Sequence, residues 1–160
     1  MRIAVLSDTH GRYATVNAAL KLVEERQVQL ILHCGDIDDA ETVSLFPAYT
    51  HFVFGNCDTD KAGLRKAMES TGARIHEPYG SLELAGKHVA FIHGDVRPLM
   101  QNVEASGAHD FLFYGHTHQA EEHRTGRTRV INPGALQRAR VKTFVILDLA
   151  AGTLESVVVE

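Results

Sequence analysis

The fold is decided by the stretch Met1–His10, MRIAVLSDTH, in which a short apolar run gives way at once to polar residues. The apolar run, residues 1–6, predicts a buried strand, because it is short and ends at the polar pair Ser7–Asp8. Asp8 and His10 then stand at the carboxyl end of that strand, which is where α/β sheets build their sites. The same succession of strand and polar turn recurs along the chain.

A helix is predicted after this turn, because Val16, Ala19, Leu20 and Val23 recur at helical spacing over residues 13–26. Alternation of strands and helices in this half implies right-handed crossovers and a largely parallel sheet. The second half is richer in strands. The remaining predicted strands cover 28–32, 51–54, 111–114 and 130–131, the hairpins 81–92 and 141–158, and a second helix 98–106. Two packed mixed sheets with helices outside fit both halves, so we expect one domain over residues 1–160.

Composition argues against several classes of protein. The chain has 160 residues, a formal net charge of −4 and 44% hydrophobic residues, which is ordinary for one globular domain. No apolar run approaches the ~18 residues of a membrane-spanning helix, and Ser7 and Asp8 cut the first run too short for a signal peptide. Cys34 and Cys57 are too few for a disulfide scaffold, so we expect a reducing, cytoplasmic location. The mild acidity argues against a dedicated nucleic-acid binder.

Polar residues gather where the predicted strands end. In α/β sheets such ends lie together, so residues far apart in sequence are expected to converge. In extended backbone, residues i and i+2 point the same way, so Asp8 and His10 are expected to reach one cavity together, as are His116 and His118. The five blocks are Asp8-Thr9-His10, Gly35-Asp36, Gly55-Asn56-Cys57-Asp58, His93-Gly94-Asp95 and Gly115-His116-Thr117-His118.

Imidazole, carboxylate and amide oxygen form a borderline ligand set, which suits Mn, Fe, Zn or Co better than Ca. Seven candidate ligands suit two ions that share one carboxylate, and we place Asp36 as the bridge because it reduces the repulsion between the cations. Each block taken alone has a simpler explanation: Asp36 as a helix cap, Asn56 as a turn residue, His93 as a core histidine. The candidate metal ligands are Asp8, His10, Asp36, Asn56, His93, His116 and His118.

The five ordered blocks resemble the calcineurin-like metallophosphoesterases, whose pattern is D-x-H, GD, GN-x-[DE], H and GH-x-H. The resemblance covers residues 1–135 and is greatest to the small single-domain bacterial and archaeal phosphodiesterases, which have a loop similar to Asn132-Pro133-Gly134. It implies a four-layer αββα sandwich of two mixed β-sheets flanked by helices, with a bridging water or hydroxide as nucleophile. It also implies that one ion takes Asp8, His10, Asp36 and His118, and the other Asp36, Asn56, His93 and His116.

One position departs from the pattern of many relatives. Cys57 stands where a histidine is thought to protonate the leaving group, and a thiol with an ordinary pKa of about 8.5 is a poorer donor. Cysteine there resembles the small phosphodiesterase branch and weakens a monoester-phosphatase interpretation; a small packed thiol is the simpler alternative. Asp58 either orients a neighbouring group or is an ordinary turn aspartate. The predicted catalytic residues are Asp36, Asn56, Cys57 and Asp58.

The sequence therefore predicts a binuclear metal-dependent phosphoesterase, and within that class a phosphodiesterase with a small phosphoester substrate. Manganese is the first choice for both ions, with Fe, Zn, Ni or Co as alternatives, and relatives of this size suggest a homo-oligomer, either dimer or tetramer. Two alternatives stay open: a non-catalytic scaffold of the same fold, as in the small retromer subunit, and a nuclease, which the net charge of −4 disfavours. The basic group within residues 124–142 either binds an anionic substrate or is a solvated hairpin face.

Overall fold

The structure, a computed structural model, describes all residues from 1 to 160. The helices are α1 (Tyr13–Glu25), α2 (Ala40–Leu45), α3 (Lys61–Thr71) and α4 (Arg97–Ala105). The strands are β1 (Arg2–Leu6), β2 (Leu30–His33), β3 (Thr50–Val53), β4 (Arg74–His76), β5 (Gly80–Leu84), β6 (Lys87–Phe91), β7 (Phe111–Phe113), β8 (Glu121–Thr125), β9 (Thr128–Asn132), β10 (Thr143–Asp148) and β11 (Thr153–Val158). None of the four helices has the length and apolar character needed to cross a lipid bilayer.

The strands form two mixed sheets. The first has six strands in the order β11-β10-β1-β2-β3-β4, in which β1 to β4 are parallel and β10 runs antiparallel to β1. The second has five strands in the order β5-β6-β7-β9-β8, in which β6, β7 and β9 are parallel. The helices α1, α2 and α3 make the crossovers between β1, β2, β3 and β4, which confirms the parallel arrangement predicted for this half.

The core consists of three apolar layers. Along β1 the side chains alternate, so that Ala4 and Leu6 face the first three helices whereas Ile3 and Val5 face the second sheet, and all four are fully buried. A third layer lies between the outer face of the second sheet and α4, which contributes Val103. The layers therefore stack as helices, sheet, sheet and helix, which confirms the predicted αββα sandwich.

The predicted elements agree with the structure within one or two residues at most of their ends, but four elements were not predicted. These are the helices α2 and α3 and the strands β4 and β8. The predicted hairpin over residues 141–158 forms β10 and β11, and β10 pairs with β1. The two halves of the chain therefore share the first sheet.

Candidate metal centre

The five polar blocks follow the carboxyl ends of β1, β2, β3, β6 and β7. The strands β1 to β3 are parallel neighbours in the first sheet, and β6 and β7 are parallel neighbours in the second, so the blocks gather at one edge of each sheet. Face-to-face packing of the sheets brings the two edges together. The seven predicted ligands form one cluster there, which divides into two ligand groups.

The first ligand group consists of Asp8, His10, Asp36 and His118, whose donor atoms all lie within 4.8 Å of one another. His10 Nε2 is 3.5 Å from His118 Nε2 and 3.6 Å from Asp36 Oδ2. Asp8 Oδ1 is 3.1 Å from His118 Nε2 and 4.0 Å from His10 Nε2. Because bonds from a divalent metal to nitrogen and oxygen are about 2.0–2.2 Å long, ligand atoms roughly 3–3.5 Å apart fit one cation.

Asp8 gives an independent indication that a cation belongs in this group. Its side chain is fully buried, and Oδ1 accepts no hydrogen bond. The other oxygen, Oδ2, accepts from the His116 N–H at 3.2 Å. A buried carboxylate oxygen without a partner costs free energy, and a cation coordinated there would remove that cost. The residues of the first group therefore fit a metal.

The second ligand group consists of Asn56, His93 and His116, together with Asp36. Asn56 Oδ1 lies 3.0 Å from His93 Nε2 and 3.0 Å from His116 Nδ1. His93 Nε2 is also 3.4 Å from Asp36 Oδ1. Asp36 thus directs Oδ2 to the first group and Oδ1 to the second. One carboxylate joins both groups, as two cations with a shared ligand require.

Asp36 and His93 shift each other's ionisation. Burial lowers the pKa of His93, but the hydrogen bond and charge of Asp36, with Asp8 and the Cys34 carbonyl, outweigh it and raise this pKa to about 9. Burial raises the pKa of Asp36, but contacts with His93 and with Cys57 outweigh it and hold this pKa well below its usual range. Both shifts arise mainly from the attraction between this carboxylate and this imidazole.

The ligands do not stand on extended backbone, which corrects the expectation built on residues i and i+2. Asp8, His10, Asp36, His116 and His118 all have positive φ, between 43° and 67°. This left-handed conformation costs residues with a side chain about 1–2 kcal/mol each. Sharp turns, rather than strand alternation, therefore bring these side chains together. Strain of this kind concentrates at functional sites, where the surrounding structure enforces it.

Two glycines allow the loops to approach this closely. A Cβ atom on Gly55 would lie 2.1 Å from Asp36 Oδ1, and one on Gly115 would lie 1.9 Å from Ser7 Oγ and 2.7 Å from Asp8 Oδ2. Real Cβ atoms do not make such short contacts. Any other residue at either position would displace a predicted ligand.

Asp58 binds the backbone of two loops. Its Oδ1 accepts from the N–H groups of Ile37 and Asp38 at 2.7 and 2.9 Å, and its Oδ2 from those of Gly55 and Asp36 at 2.7 and 3.0 Å. The residue is 2% exposed, so these bonds form away from water. We interpret Asp58 as a positioning residue that fixes the loop carrying Asp36. No contact in the structure supports the catalytic role predicted for it.

Asp38 is a candidate site residue that the sequence analysis missed. Both of its carboxylate oxygens lie 3.3 Å from His10 Nδ1, on the side of the ring away from the first ligand group. A carboxylate on the far nitrogen fixes the orientation of a ligand imidazole and increases its basicity. The only sequence signal was the presence of two further aspartates, Asp38 and Asp39, directly after the Gly35-Asp36 block.

Cys57 lies beside Asp38 and is partly buried. Its N–H donates to Asp36 Oδ1 at 2.8 Å, and its Sγ lies within 4.8 Å of ligand atoms of His10 and Asp38. Burial, followed by the charge of Asp36, raises the pKa of this thiol. The thiol therefore keeps its proton at neutral pH, close to both ligand groups. Its catalytic role stays a prediction.

Other polar residues near the site lie outside the ligand groups. His33 is buried against the rings of Phe46 and Phe52, in the layer between the first sheet and its helices. Cys34 is fully buried between the two sheets, as expected for a structural thiol. Asp95 is exposed and contacts no predicted ligand.

The loop after β9 holds the last polar block in place. Asn132 Nδ2 donates to the Gly115 carbonyl and to Thr117 Oγ1, both at 3.0 Å. Asn132 is buried, so these bonds fix the backbone between His116 and His118. The motif Asn132-Pro133-Gly134 therefore has a structural function at the site.

The αββα sandwich and its two ligand groups define a class of protein. A model of the calcineurin-like phosphoesterase superfamily domain matches residues 1–152, so the chain belongs to this family. The chain is 25% identical over 166 residues to the phosphodiesterase MJ0936 of Methanocaldococcus jannaschii, and the alignment covers the whole of both proteins.

Solved structures share the fold. An archaeal phosphodiesterase matches with a TM-score of 0.91 and 24% identity, over 99% of this chain and 100% of that one. Vps29 of Entamoeba histolytica in complex with Zn²⁺ matches with a TM-score of 0.70 and 19% identity, over 99% of this chain and 98% of that one. At these identities the likeness shows the fold, and function has to be argued from the site.

Proposed function

We propose that this chain is a binuclear metal-dependent phosphodiesterase that hydrolyses a phosphate ester by in-line attack of hydroxide. The observation that carries the proposal is Asp36, a single carboxylate with one oxygen directed to each of two ligand groups. The buried Asp8 oxygen that accepts no hydrogen bond supports it, because this oxygen offers a further lone pair to a cation. The kinship with the phosphodiesterase MJ0936 supports a diester as the substrate.

Each ligand group would hold one of the two cations. Asp8, His10, Asp36 and His118 would hold one cation, and Asp36, Asn56, His93 and His116 the other. When bound, two divalent cations neutralise the charge of a phosphate and provide hydroxide at neutral pH. Asn56 and His116 are exposed, so the substrate reaches the site from their side. The proton on Cys57 is available to the departing oxygen of an alkyl ester.

A cavity beside the second ligand group supports diesters over monoesters. Its volume is about 180 Å³, and His93 and Gly55 form part of its wall. A diester has a second organic group that a monoester lacks, and an apolar wall next to the phosphate favours its binding. The wall combines the apolar residues Phe54, Pro78, Ile92, Val96 and Leu99 with the charged residues Lys61, Glu77 and Asp95.

The test is hydrolysis of bis(4-nitrophenyl) phosphate by metal-stripped protein, with and without added Mn²⁺. We expect turnover only with metal, and neither turnover nor tight metal binding in Asp36→Asn. Asp60→Asn is the matched control, because asparagine caps a helix as well as the aspartate that caps α3. Metal-dependent turnover that survives in Asp36→Asn would remove the bridging carboxylate from the proposal.

The alternative is a non-catalytic docking scaffold. The resemblance to the fold of Vps29 makes it a candidate. The completeness of the ligand set favours an enzyme, because a scaffold has no need for strained ligand loops. A folded protein that binds no metal and hydrolyses no ester would favour the scaffold.

The setting of the enzyme is also part of the proposal. We propose a cytoplasmic location, small phosphoesters rather than nucleic acids or membranes as partners, and a dimer or tetramer. Manganese is the first metal to test, and Fe, Zn, Ni and Co also suit this donor set. Metal analysis after expression in metal-supplemented media, and the mass of the assembly in solution, would test these points.

A further inference from the structure

The basic residues late in the chain belong to two separate places. Arg127 pairs with Asp110 at 3.0 Å and Arg129 with Glu122 at 2.7 Å, both on the hairpin of β8 and β9. These arginines therefore match the solvated hairpin face that the sequence allowed. The second group comes from the loop between β9 and β10.

This second group forms a cleft with the start of α1. We define the basic cleft as Arg12, Gln137 and Lys142. The two cations of the cleft, Arg12 and Lys142, have no carboxylate within 4.0 Å. With its side-chain amide rotated by 180°, Gln137 would accept from the Arg12 guanidinium at 2.8 and 3.2 Å and so hold Arg12 in place. In a chain with a net charge of −4, a group of unpaired cations marks a site for an anion.

Arg12, Gln137 and Lys142 line a cavity of about 640 Å³ together with Gly11, Tyr13, Ala14 and Thr15. None of these residues has a carboxylate. The Asp39 carboxylate lies directly behind this wall, because it accepts from Tyr13 OH at 2.9 Å and from the Thr42 N–H at 2.7 Å, and a Cβ atom on Gly11 would lie 2.9 Å from its Oδ2. The two cations of the wall, Arg12 and Lys142, therefore outnumber this carboxylate.

The basic cleft adjoins the first ligand group. Gly11, in the cavity wall, directly follows His10. The loop that carries Gln137 and Arg138 is bound to the residue before Asp8, because the Leu136 N–H donates to the Ser7 carbonyl at 3.2 Å. An anionic group in the cleft would therefore lie beside a phosphate held by the metal centre.

We propose that the basic cleft binds a second phosphate group of the substrate, so that the preferred substrate is a phosphodiester with an additional terminal phosphate. This inference rests on the proposed phosphodiesterase activity. Arginine matches a phosphate through two parallel N–H bonds, and lysine adds a point charge. The cleft thus distinguishes substrates by charge, whereas the cavity beside His93 accepts an organic group.

The test uses two chromogenic diesters that differ only in one phosphate: thymidine 5′-(4-nitrophenyl phosphate), with and without a 3′-phosphate. We expect kcat/KM at least tenfold higher with the 3′-phosphate, mainly through KM, and a smaller advantage at high salt. Arg12→Gln and Lys142→Gln should each reduce the ratio of the two kcat/KM values about tenfold. The ratio should be retained largely in Arg12→Lys and fully in the control Arg127→Gln.

The outcomes separate the two proposals. Equal kcat/KM for both diesters, or a preference that persists in Arg12→Gln and Lys142→Gln, would contradict the proposed role of the basic cleft. The proposed phosphodiesterase activity would be unaffected by either result. Hydrolysis of neither diester would count against the proposed function. Titration of metal-free protein with thymidine 3′,5′-bisphosphate and thymidine 5′-phosphate then tests phosphate binding in the cleft independently of catalysis. Tighter bisphosphate binding that Arg12→Gln removes supports it, and equal affinity overturns it.

Discussion

At the residue scale, the carboxylate of Asp58 is the point where two loops of the site are joined. Four backbone N–H groups meet it away from water, two on each oxygen. A buried donor that loses its acceptor pays the full cost of desolvation. The loop after β2 therefore depends on Asp58 for the position of its bridging carboxylate, Asp36.

We expect Asp58→Asn to lower the free energy of unfolding by roughly 2–5 kcal/mol, because an amide accepts on one side only and leaves two N–H groups unpaired. Urea unfolding of metal-free protein measures this loss. The control Asp95→Asn should change it little, since Asp95 is exposed. An unchanged stability in Asp58→Asn, with activity lost, would instead restore the catalytic role predicted from the sequence.

The proton of Cys57 leads to a prediction about leaving groups. In Cys57→Ala, turnover of a 4-nitrophenyl diester should change little, because nitrophenolate departs without a proton. Turnover of an alkyl diester should fall on the order of 100-fold, the usual contribution of a general acid. Cys57→His restores a donor and should recover the alkyl substrate. An equal fall for both leaving groups in steady-state kcat would show that the thiol only packs.

At the scale of elements, β3 and β4 are linked by a pair of histidines. His51 and His76 stack with ring centres 5.0 Å apart, and His51 Nδ1 is 2.9 Å from His76 Nε2. Burial is the main cause that lowers both pKa values, that of His51 to about 4. The His51 ring is therefore neutral in the folded chain at pH 6, whereas the unfolded chain binds protons at that pH.

This pair should make the protein less stable in mild acid. The pKa of His51 in the folded chain lies below the value of about 6.5 in the unfolded chain. The contribution of the neutral His51 ring to stability is therefore complete above pH 6.5 and is lost as the pH falls towards 4. The difference in unfolding free energy between wild type and His51→Gln should therefore shrink over that range in denaturant titrations. His88→Gln, at an exposed position, is the control for replacing an imidazole with an amide.

The strongly patterned elements were predictable from the sequence. The α1 helix has an apolar stripe over several turns, and β1 and β10 are apolar runs with clear ends. The α2 helix has only six residues, too few for a period to show. The α3 helix has capping residues at both ends that are recognisable in the sequence. The Asp60 carboxylate accepts from the Gly63 N–H at its start, and Gly72 is left-handed at its end.

The candidate site was predictable to the extent that it follows from strand order. Parallel strands place their carboxyl ends together, so the order of the blocks was enough to group the seven ligands. The roles of Asp38 and Asp58 depend on bonds between loops about twenty residues apart, to His10 in one case and to the loop after β2 in the other. No short sequence pattern encodes contacts between residues so far apart, and none encodes the left-handed turns on which five of the predicted ligands lie.

At the scale of the whole molecule, the two groups of predicted ligands lie where the two sheets meet, so a metal bound there would stabilise both sheets. A cation at 100 times its dissociation constant adds about 2.7 kcal/mol to the folded state. Added Mn²⁺ should therefore raise Tm by roughly 5–10 °C in differential scanning calorimetry. The chelator EDTA should reverse the rise, and Asp36→Asn should abolish it. An equal rise in Asp36→Asn would mean that the metal binds elsewhere.

The pairing of β1 with β10 has a consequence for how the chain is made. Residues 2–6 occupy the middle of the first sheet, yet one of their two neighbours is residues 143–148. Contacts so distant in sequence form slowly, and an incomplete sheet exposes an apolar edge. On the ribosome, that edge of β1 therefore stays without its partner strand until residues 143–148 have been synthesised.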